Sequence, residues 1–480
     1  MKKQLALIIN LLIFCSLFNG NLRAQDNLIN VDYAKEIGSV NKKVFGNNFI
    51  AYDPSTYEGW GRNYYGYIDY GAGIWDPEAK KSVQEVIDLA KSIRMSAVRF
   101  PGGCGAHHYN WRNAVGQNRQ HFLFGVDEFV QVAQELGAEP IYTLSYFVGD
   151  EHDAADLVKY LDSKIKYFEV GNEDWHGDHQ KISSVTPQEY AFRYLKYYAA
   201  IKAADPAAQV GVILCETKWD KAVLSIIKGK TDFAVVHFYP GSEINENKIG
   251  KMPPRAVFTQ ILTSSIEESE DYLNKTQALL KQETGRDLPI AITEYNAGLT
   301  FDKPLPYRHT LGAALVNAEL LRIFLKPQHN ILMANYWQFS NSFWGMVFTK
   351  DELNYIKRPN YYVYELYAKH FGDTLIEAGS GVGPLTLSAS KDSQAGKIYL
   401  AVLNKNMDDD ITCTINLKDF VPQGTLRVFE LNGTQVESLN EDNSENVRVR
   451  EKQIEINGAS FSYIFPKHSL TFLEIEGKKQ

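Results

Sequence analysis

The sequence predicts an α/β fold in which a (β/α)8 barrel is followed by an antiparallel β-sandwich. Three observations carry this. From about residue 44 to 371, eight short, nearly continuous apolar runs alternate with amphipathic stretches, the texture of parallel strands covered on both faces by helices. After about residue 372, period-two alternation broken by polar turns takes over. PGGCG (101–105) follows an apolar run but lacks the G-x-G-x-x-G spacing that an open doubly wound sheet would use for phosphate. A chain of 480 residues also exceeds one ordinary core. Together these predict a TIM barrel with a C-terminal sandwich domain.

Residues 1–24 read as an export signal: Lys2 and Lys3, then LALIINLLIFCSLF, then a cleavage region ending at Ala24. Leu22 is larger than the ideal residue at its cleavage position, and Phe14 before Cys15 argues against a lipoprotein box. The apolar run is too short to span a bilayer, and no other stretch is long enough. The expectation is a soluble, exported protein, periplasmic or extracellular. Residues 25–43, with NLINVDY, are expected to add a strand to the sandwich.

The barrel is assigned to 44–371. Its strands are expected at VFGNNFI (44–50), SAVRF (96–100), EPIYTLSY (139–146), IKYFEV (165–170), QVGVIL (209–214), DFAVVHFY (232–239), LPIAITEY (288–295) and ILMANYWQF (331–339). Helices are expected at 83–93, 126–136, 187–204 and 307–325, among others. Thr186 before Pro187 makes a good helix start, because proline suits the first helical position. The sandwich, 372–480, rests on segments such as KIYLAVLNK, TCTINLKDF and SLTFLEI. MDDDI (407–411) reads as a solvated turn.

The formal charge of −8 becomes −11 once Lys2, Lys3 and Arg23 leave with the signal. An acidic chain is a poor partner for nucleic acid. Cys104, Cys215 and Cys413 cannot all pair and show no metal-like spacing, so neither a disulfide scaffold nor a metal is expected. His107 and His108 are adjacent and point in different directions, which again argues against a metal site with Cys104.

In such a barrel, chemistry sits at the C-terminal strand ends. Glu173 follows the fourth strand in YFEVGNEDW, and Glu294 lies at the end of the seventh. Three strand–helix units separate them, which places them across one barrel mouth. Two facing carboxylates are what glycoside hydrolysis needs, one to protonate the leaving oxygen and one to attack the anomeric carbon or activate water. Arg99, His237, Tyr239, Trp337 and Gln338 end other strands. A guanidinium and a phenol would hold one Glu ionised, Asn172 could reach a sugar hydroxyl, and Trp337 offers an apolar face to a ring. Asn48 at the first strand and Trp175 beyond Glu173 complete the candidate substrate-binding set. Each residue alone has a plainer reading, as a surface salt-bridge partner or a core side chain. Compatible groups at several strand ends are harder to explain that way.

GNE after the fourth strand with TEYN at the seventh resembles the acid/base and nucleophile motifs of clan A retaining glycoside hydrolases. VRFPGG (98–103), YNWRNAVG (109–116) and RPNYYVYELYAKHFGD (358–373) resemble the family 51 α-L-arabinofuranosidases. The resemblance covers essentially the whole mature chain. It implies Glu173 as acid/base, Glu294 as nucleophile, Asn172 at the 2-hydroxyl, Arg99 and Tyr239 against the nucleophile, and Trp337 in the subsite of the cleaved sugar. It further implies retention of configuration, no cofactor, a carbohydrate substrate and homo-oligomers. The chain departs from the family at Thr293 and Tyr295 beside the nucleophile, at Asn47 and Asn48 in the first strand, and at Cys104. These differences surround the sugar-holding subsite. The implied function is a secreted exo-acting α-L-arabinofuranosidase. An endo-β-glycanase of the same clan, with the loop 240–257 as a candidate wall, and a non-catalytic carbohydrate-binding protein are the alternatives.

Overall fold

A computed structural model describes residues 27–50, 73–117, 119, 122–176, 185–244, 251–351 and 354–480. Residues 1–24, expected to be an export signal, and part of the candidate wall loop (245–250) lie outside the described residues. Eight parallel strands close a barrel: β2 (Gly46–Asn48), β5 (Ala97–Phe100), β6 (Glu139–Leu144), β7 (Tyr167–Val170), β8 (Gln209–Ile213), β9 (Phe233–Phe238), β10 (Ile290–Tyr295) and β11 (Ile331–Tyr336). Each overlaps one of the eight apolar runs. β2 is only three residues long yet pairs with both β11 and β5, and so closes the ring. Two small hairpins, β3 (Trp75–Asp76) with β4 (Lys81–Ser82) and β12 (Val347–Asp351) with β13 (Asn354–Lys357), stand outside it.

The helices between strands start and stop for local reasons. Thr186 caps Pro187–Ala204, its hydroxyl accepting from the Glu189 amide while the Glu189 carboxylate accepts from the Thr186 amide. The helix expected from 307 begins only at Leu311. Tyr307–His309 form a 3-10 turn, and Thr310 is the cap, accepting from the Ala313 amide.

After the helix Pro359–His370 the chain enters β14 (Thr374–Ser380), β15 (Leu385–Asp392), β16 (Lys397–Asn404), β17 (Ile411–Lys418), β18 (Phe420–Gly433), β19 (Val447–Glu455), β20 (Ser460–Phe465) and β21 (Ser469–Lys479). These eight strands and β1 (Leu28–Ser39) form one hydrogen-bonded sheet, in the order β19-β18-β21-β16-β15-β14-β1-β17-β20. Its two ends meet face to face around a core of their own, where Tyr463 of β20 donates to Glu430 of β18 at 3.3 Å. The expected all-antiparallel pairing needs one correction: β1 runs parallel to β17, because the strand arrives from the far end of the sequence rather than through a hairpin. The turn at 407–411 is organised by Asn406, whose Oδ1 accepts from the Asp408 and Asp409 amides.

The outer face of this sheet packs on the barrel. Tyr367 meets Phe472 edge-on at 5.0 Å, and the Leu311 and Gly312 amides donate to Ser438 and Val436 carbonyls at 2.8 Å. Arg358, fully buried, donates to Glu441 of the sheet domain (2.7 Å) and to the Gly345 and Ser342 carbonyls (both 2.7 Å). The loop that follows β11 at the barrel mouth is thereby tied to the second domain.

Candidate active site

The mouth is built from strand ends that neighbour one another in register. Asn48 of β2 pairs with Arg99 of β5, and Glu294 of β10 with His237 of β9. In a regular strand Thr293 and Glu294 would face opposite sides. Here β10 carries an extra residue against β9 between Ile292 and Glu294, and this bulge lets both side chains face the mouth. Thr293 Oγ1 meets His237 Nε2 at 3.0 Å, while Glu294 Oε2 accepts from Tyr239 at 2.6 Å. Glu173 follows β7 through a tight turn. Gly171 sits at φ +83°, where a Cβ would collide with the Asp174 carboxylate, and Glu173 itself is at φ +49°. A non-glycine residue in that region is strained, as backbone at functional sites often is.

Arg99 lies at the floor with no exposed surface. Its Nη1 donates to Glu294 Oε1 (2.7 Å), its Nη2 to Asn172 Oδ1 (2.8 Å) and its Nε to Glu169. Burial works against its charge, but Glu169 and Glu294 outweigh that and hold the guanidinium charged. Glu173 Oε1 lies 2.7 Å from His237 Nδ1. Burial disfavours the His237 cation, yet the Glu294 charge and the hydrogen bond to Glu173 overcome it and raise the imidazole above its usual 6.5. Burial and the Glu294 charge push the Tyr239 phenol well above 10, so it remains a donor. One oxygen each of Glu173 and Glu294 and one His237 ring nitrogen lie within 4.8 Å of one another. Among the described residues these are also the donors spaced closely enough for a metal ion. Arg99, Tyr239 and His237 already satisfy both carboxylates, so the arrangement stands without one.

Trp337, just past β11, sets the outer edge of its ring against Gly102 and Gly103, where a Cβ on Gly103 (φ +59°) would strike the ring. Tyr239 is flanked by Trp344, ring centres 6.2 Å apart.

A carboxylate pair just past β7 and at the end of β10 of a closed barrel invites comparison with known proteins. Residues 293–469 match the family model for the α-L-arabinofuranosidase C-terminal domain. An intracellular exo-α-L-arabinofuranosidase of Bacteroides ovatus is 23% identical, covering 93% of this chain and 95% of its own. α-L-Arabinofuranosidase C of Emericella nidulans is 24% identical over 88% and 94%. The fold matches the crystal structure of α-L-arabinofuranosidase from Thermotoga maritima in its arabinose complex, with TM-score 0.77, 20% identity, and coverage of 94% and 100%. The chain is a glycoside hydrolase, most like family 51.

In this glycoside hydrolase Glu294, Arg99, Asn172 and Tyr239 form one hydrogen-bonded group, the hydrogen-bonded pair Glu173–His237 adjoins it with His237 Nδ1 3.7 Å from Glu294 Oε2, and Trp337 lies beside them. Two expected substrate contacts are placed elsewhere. Asn48 is buried, its Nδ2 donating to the Thr293 (2.9 Å), Asn335 and Tyr336 carbonyls and its Oδ1 facing Arg99 Nη1 at 3.3 Å. It braces the wall of the enzyme because carbonyls from two other strands converge on its amide. Trp175 packs edge-on to Trp219, 5.7 Å between ring centres, outside the cluster. The paired histidines do diverge: His107 is buried 3.7 Å from Asp174 Oδ1, and His108 is exposed. No described helix is long and apolar enough to cross a membrane.

Sequence reasoning missed Glu169, whose only signal is a carboxylate inside a strand buried on both faces. Cys104, for which the sequence suggests neither a disulfide nor a metal, has its thiol 3.9 Å from Asn172 Nδ2. Burial and the charges of Glu173 and Glu294 push that thiol well above its usual pKa.

Asp174 was missed too. It accepts from the Asn172 amide at 3.2 Å, and burial pushes its carboxyl up to about 8. The unfolded chain releases this proton near 3.8 and the folded enzyme near 8. The contribution therefore favours folding fully below about pH 4 and is lost as pH rises through about 8. Asp174→Asn keeps the acceptor and removes the titration. Urea unfolding at several pH values from 5 to 8 should show wild-type stability falling relative to the variant by up to about 1.4 kcal/mol per pH unit. Parallel stability curves would refute the shift.

Proposed function

We propose that this protein is an exported, retaining, exo-acting α-L-arabinofuranosidase working on plant polysaccharides or their fragments. The observation that carries the reading is the separation of the carboxylates: oxygens of Glu173 and Glu294 lie within 4.8 Å, the spacing of retaining rather than inverting enzymes. Glu294, held by Arg99 and Tyr239, attacks the anomeric carbon as Glu173 gives its proton to the departing oxygen, leaving a glycosyl ester on Glu294. Glu173 then takes a proton from water, which displaces Glu294 and frees the sugar. Asn172 Nδ2 meets the 2-hydroxyl, a role supported by its Oδ1 being spent on Arg99. Trp337 presents its ring face to the sugar.

The sugar is supported by the names of the relatives, the exo mode by the Bacteroides ovatus protein and the export by the signal-like first 24 residues. A panel of p-nitrophenyl furanosides and pyranosides, with the first-formed anomer read by NMR, tests the reading. The α-L-arabinofuranoside should be cleaved fastest and give the retained anomer. Inversion, or preference for a β-pyranoside, would overturn it.

A further inference from the structure

Glu169 has no part in the two-carboxylate chemistry, yet it is a fully buried charge in β7, on the strand that leads to Glu173. Its Oε1 accepts from Arg99 Nε and from Thr143 Oγ1, and its Oε2 meets no hydrogen-bond partner among the described residues. A half-satisfied buried carboxylate costs stability, so its presence calls for another reason. The division of Arg99 supplies one. Its Nε is held by Glu169, and this aims Nη1 at Glu294 and Nη2 at Asn172. One positive charge is thus shared by two carboxylates in a region where charges interact strongly.

We propose that Glu169 is a positioning residue for the reaction: it fixes the guanidinium and draws off part of its charge, so that Glu294 is ionised without being held too tightly to attack. With Glu169 neutral, Arg99 would act on Glu294 alone. Glu294 would then face the whole positive charge and be a weaker nucleophile, and the acid limb of the pH profile would lie at lower pH. The other titratable groups facing this centre are Glu173 and Asp174 beyond β7, His237 and Tyr239 of the β9 end, and Cys104 beyond β5. None of them touches Arg99 Nε. The proposal rests on the assignment of Glu294 as nucleophile.

The test is the pH profile of kcat/KM for the full chain and its Glu169→Gln and Glu169→Asp variants, with kcat, KM and Tm, on p-nitrophenyl α-L-arabinofuranoside or whichever aryl glycoside the panel finds cleaved. Glu169→Gln should move the acid limb to lower pH by about one unit. It should lower kcat about tenfold while changing KM by less than about threefold. Glu169→Asp, which keeps the charge but draws it back from Nε, should move the limb the same way by less. An unmoved acid limb overturns the proposal, even if rate and Tm both fall, because that pattern belongs to a residue that merely holds the barrel together. If Glu169→Gln does not fold, the limb of Glu169→Asp decides in the same way. Full activity of Glu294→Gln would instead sink the nucleophile assignment, a result separable from any shift caused at position 169.

Discussion

Glu294→Gln is expected to lower kcat on an aryl α-L-arabinofuranoside by at least about 10⁴-fold, as loss of an attacking group does in other covalent enzymes. The Tm should stay within about 3 °C of wild type. The amide keeps the size of the side chain; its oxygen can still accept from Arg99 and its NH2 can donate to the Tyr239 hydroxyl, the two groups that hold the carboxylate at 2.7 and 2.6 Å. Arg99 keeps a counter-charge in Glu169. What disappears is the oxygen that attacks the anomeric carbon. Steady-state kinetics beside a thermal melt checks both halves. A variant retaining most of its rate would mean that Glu294 is not the nucleophile, whatever its surroundings.

The second large effect is expected at Glu173, and its form depends on the leaving group. With Glu173→Ala, substrates with poor leaving groups should lose about 10²–10⁴-fold in kcat, the range for a missing general acid. Activated aryl glycosides need no proton to depart, so they should still form the glycosyl-enzyme on Glu294 and then stall, because nothing deprotonates water. Added azide, small and already anionic, should enter the space left by the carboxylate and release a glycosyl azide, restoring turnover in part. A burst of aryl alcohol followed by a slow, azide-sensitive steady state is the expected trace. Unchanged kinetics on activated substrates with no response to azide would remove Glu173 from the reaction. His237, which lies 2.7 Å from Glu173 and 3.7 Å from Glu294 Oε2, would then be the neighbour to mutate next.

These expectations rest on groups that are legible in the sequence. Strand ends of a parallel barrel meet at one mouth, so counting strand–helix units was enough to bring Glu173, Glu294, Arg99, His237, Tyr239 and Trp337 together. Counting cannot give direction. Asn48 sits at the end of its strand as they do, yet carbonyls from β10 and β11 turn its amide into the wall. Trp175 is two residues from Glu173 and turns to Trp219 instead. Glu169 was overlooked because a carboxylate within a short apolar strand has no local partner. Its partners, Arg99 and Thr143, come from two other strands.

The sequence alone determined the order of elements, since apolar periodicity and helix caps are local properties of neighbouring residues. It also determined the two carboxylates and the mouth they share, because strand parity follows from the repeat. Tertiary structure alone decided the bulge that turns Thr293 and Glu294 toward the same mouth, the parallel docking of β1 on β17, and the sharing of one buried guanidinium between Glu169 and Glu294. Each of these depends on the register and charge of strands distant in the chain, and no window of sequence contains that information.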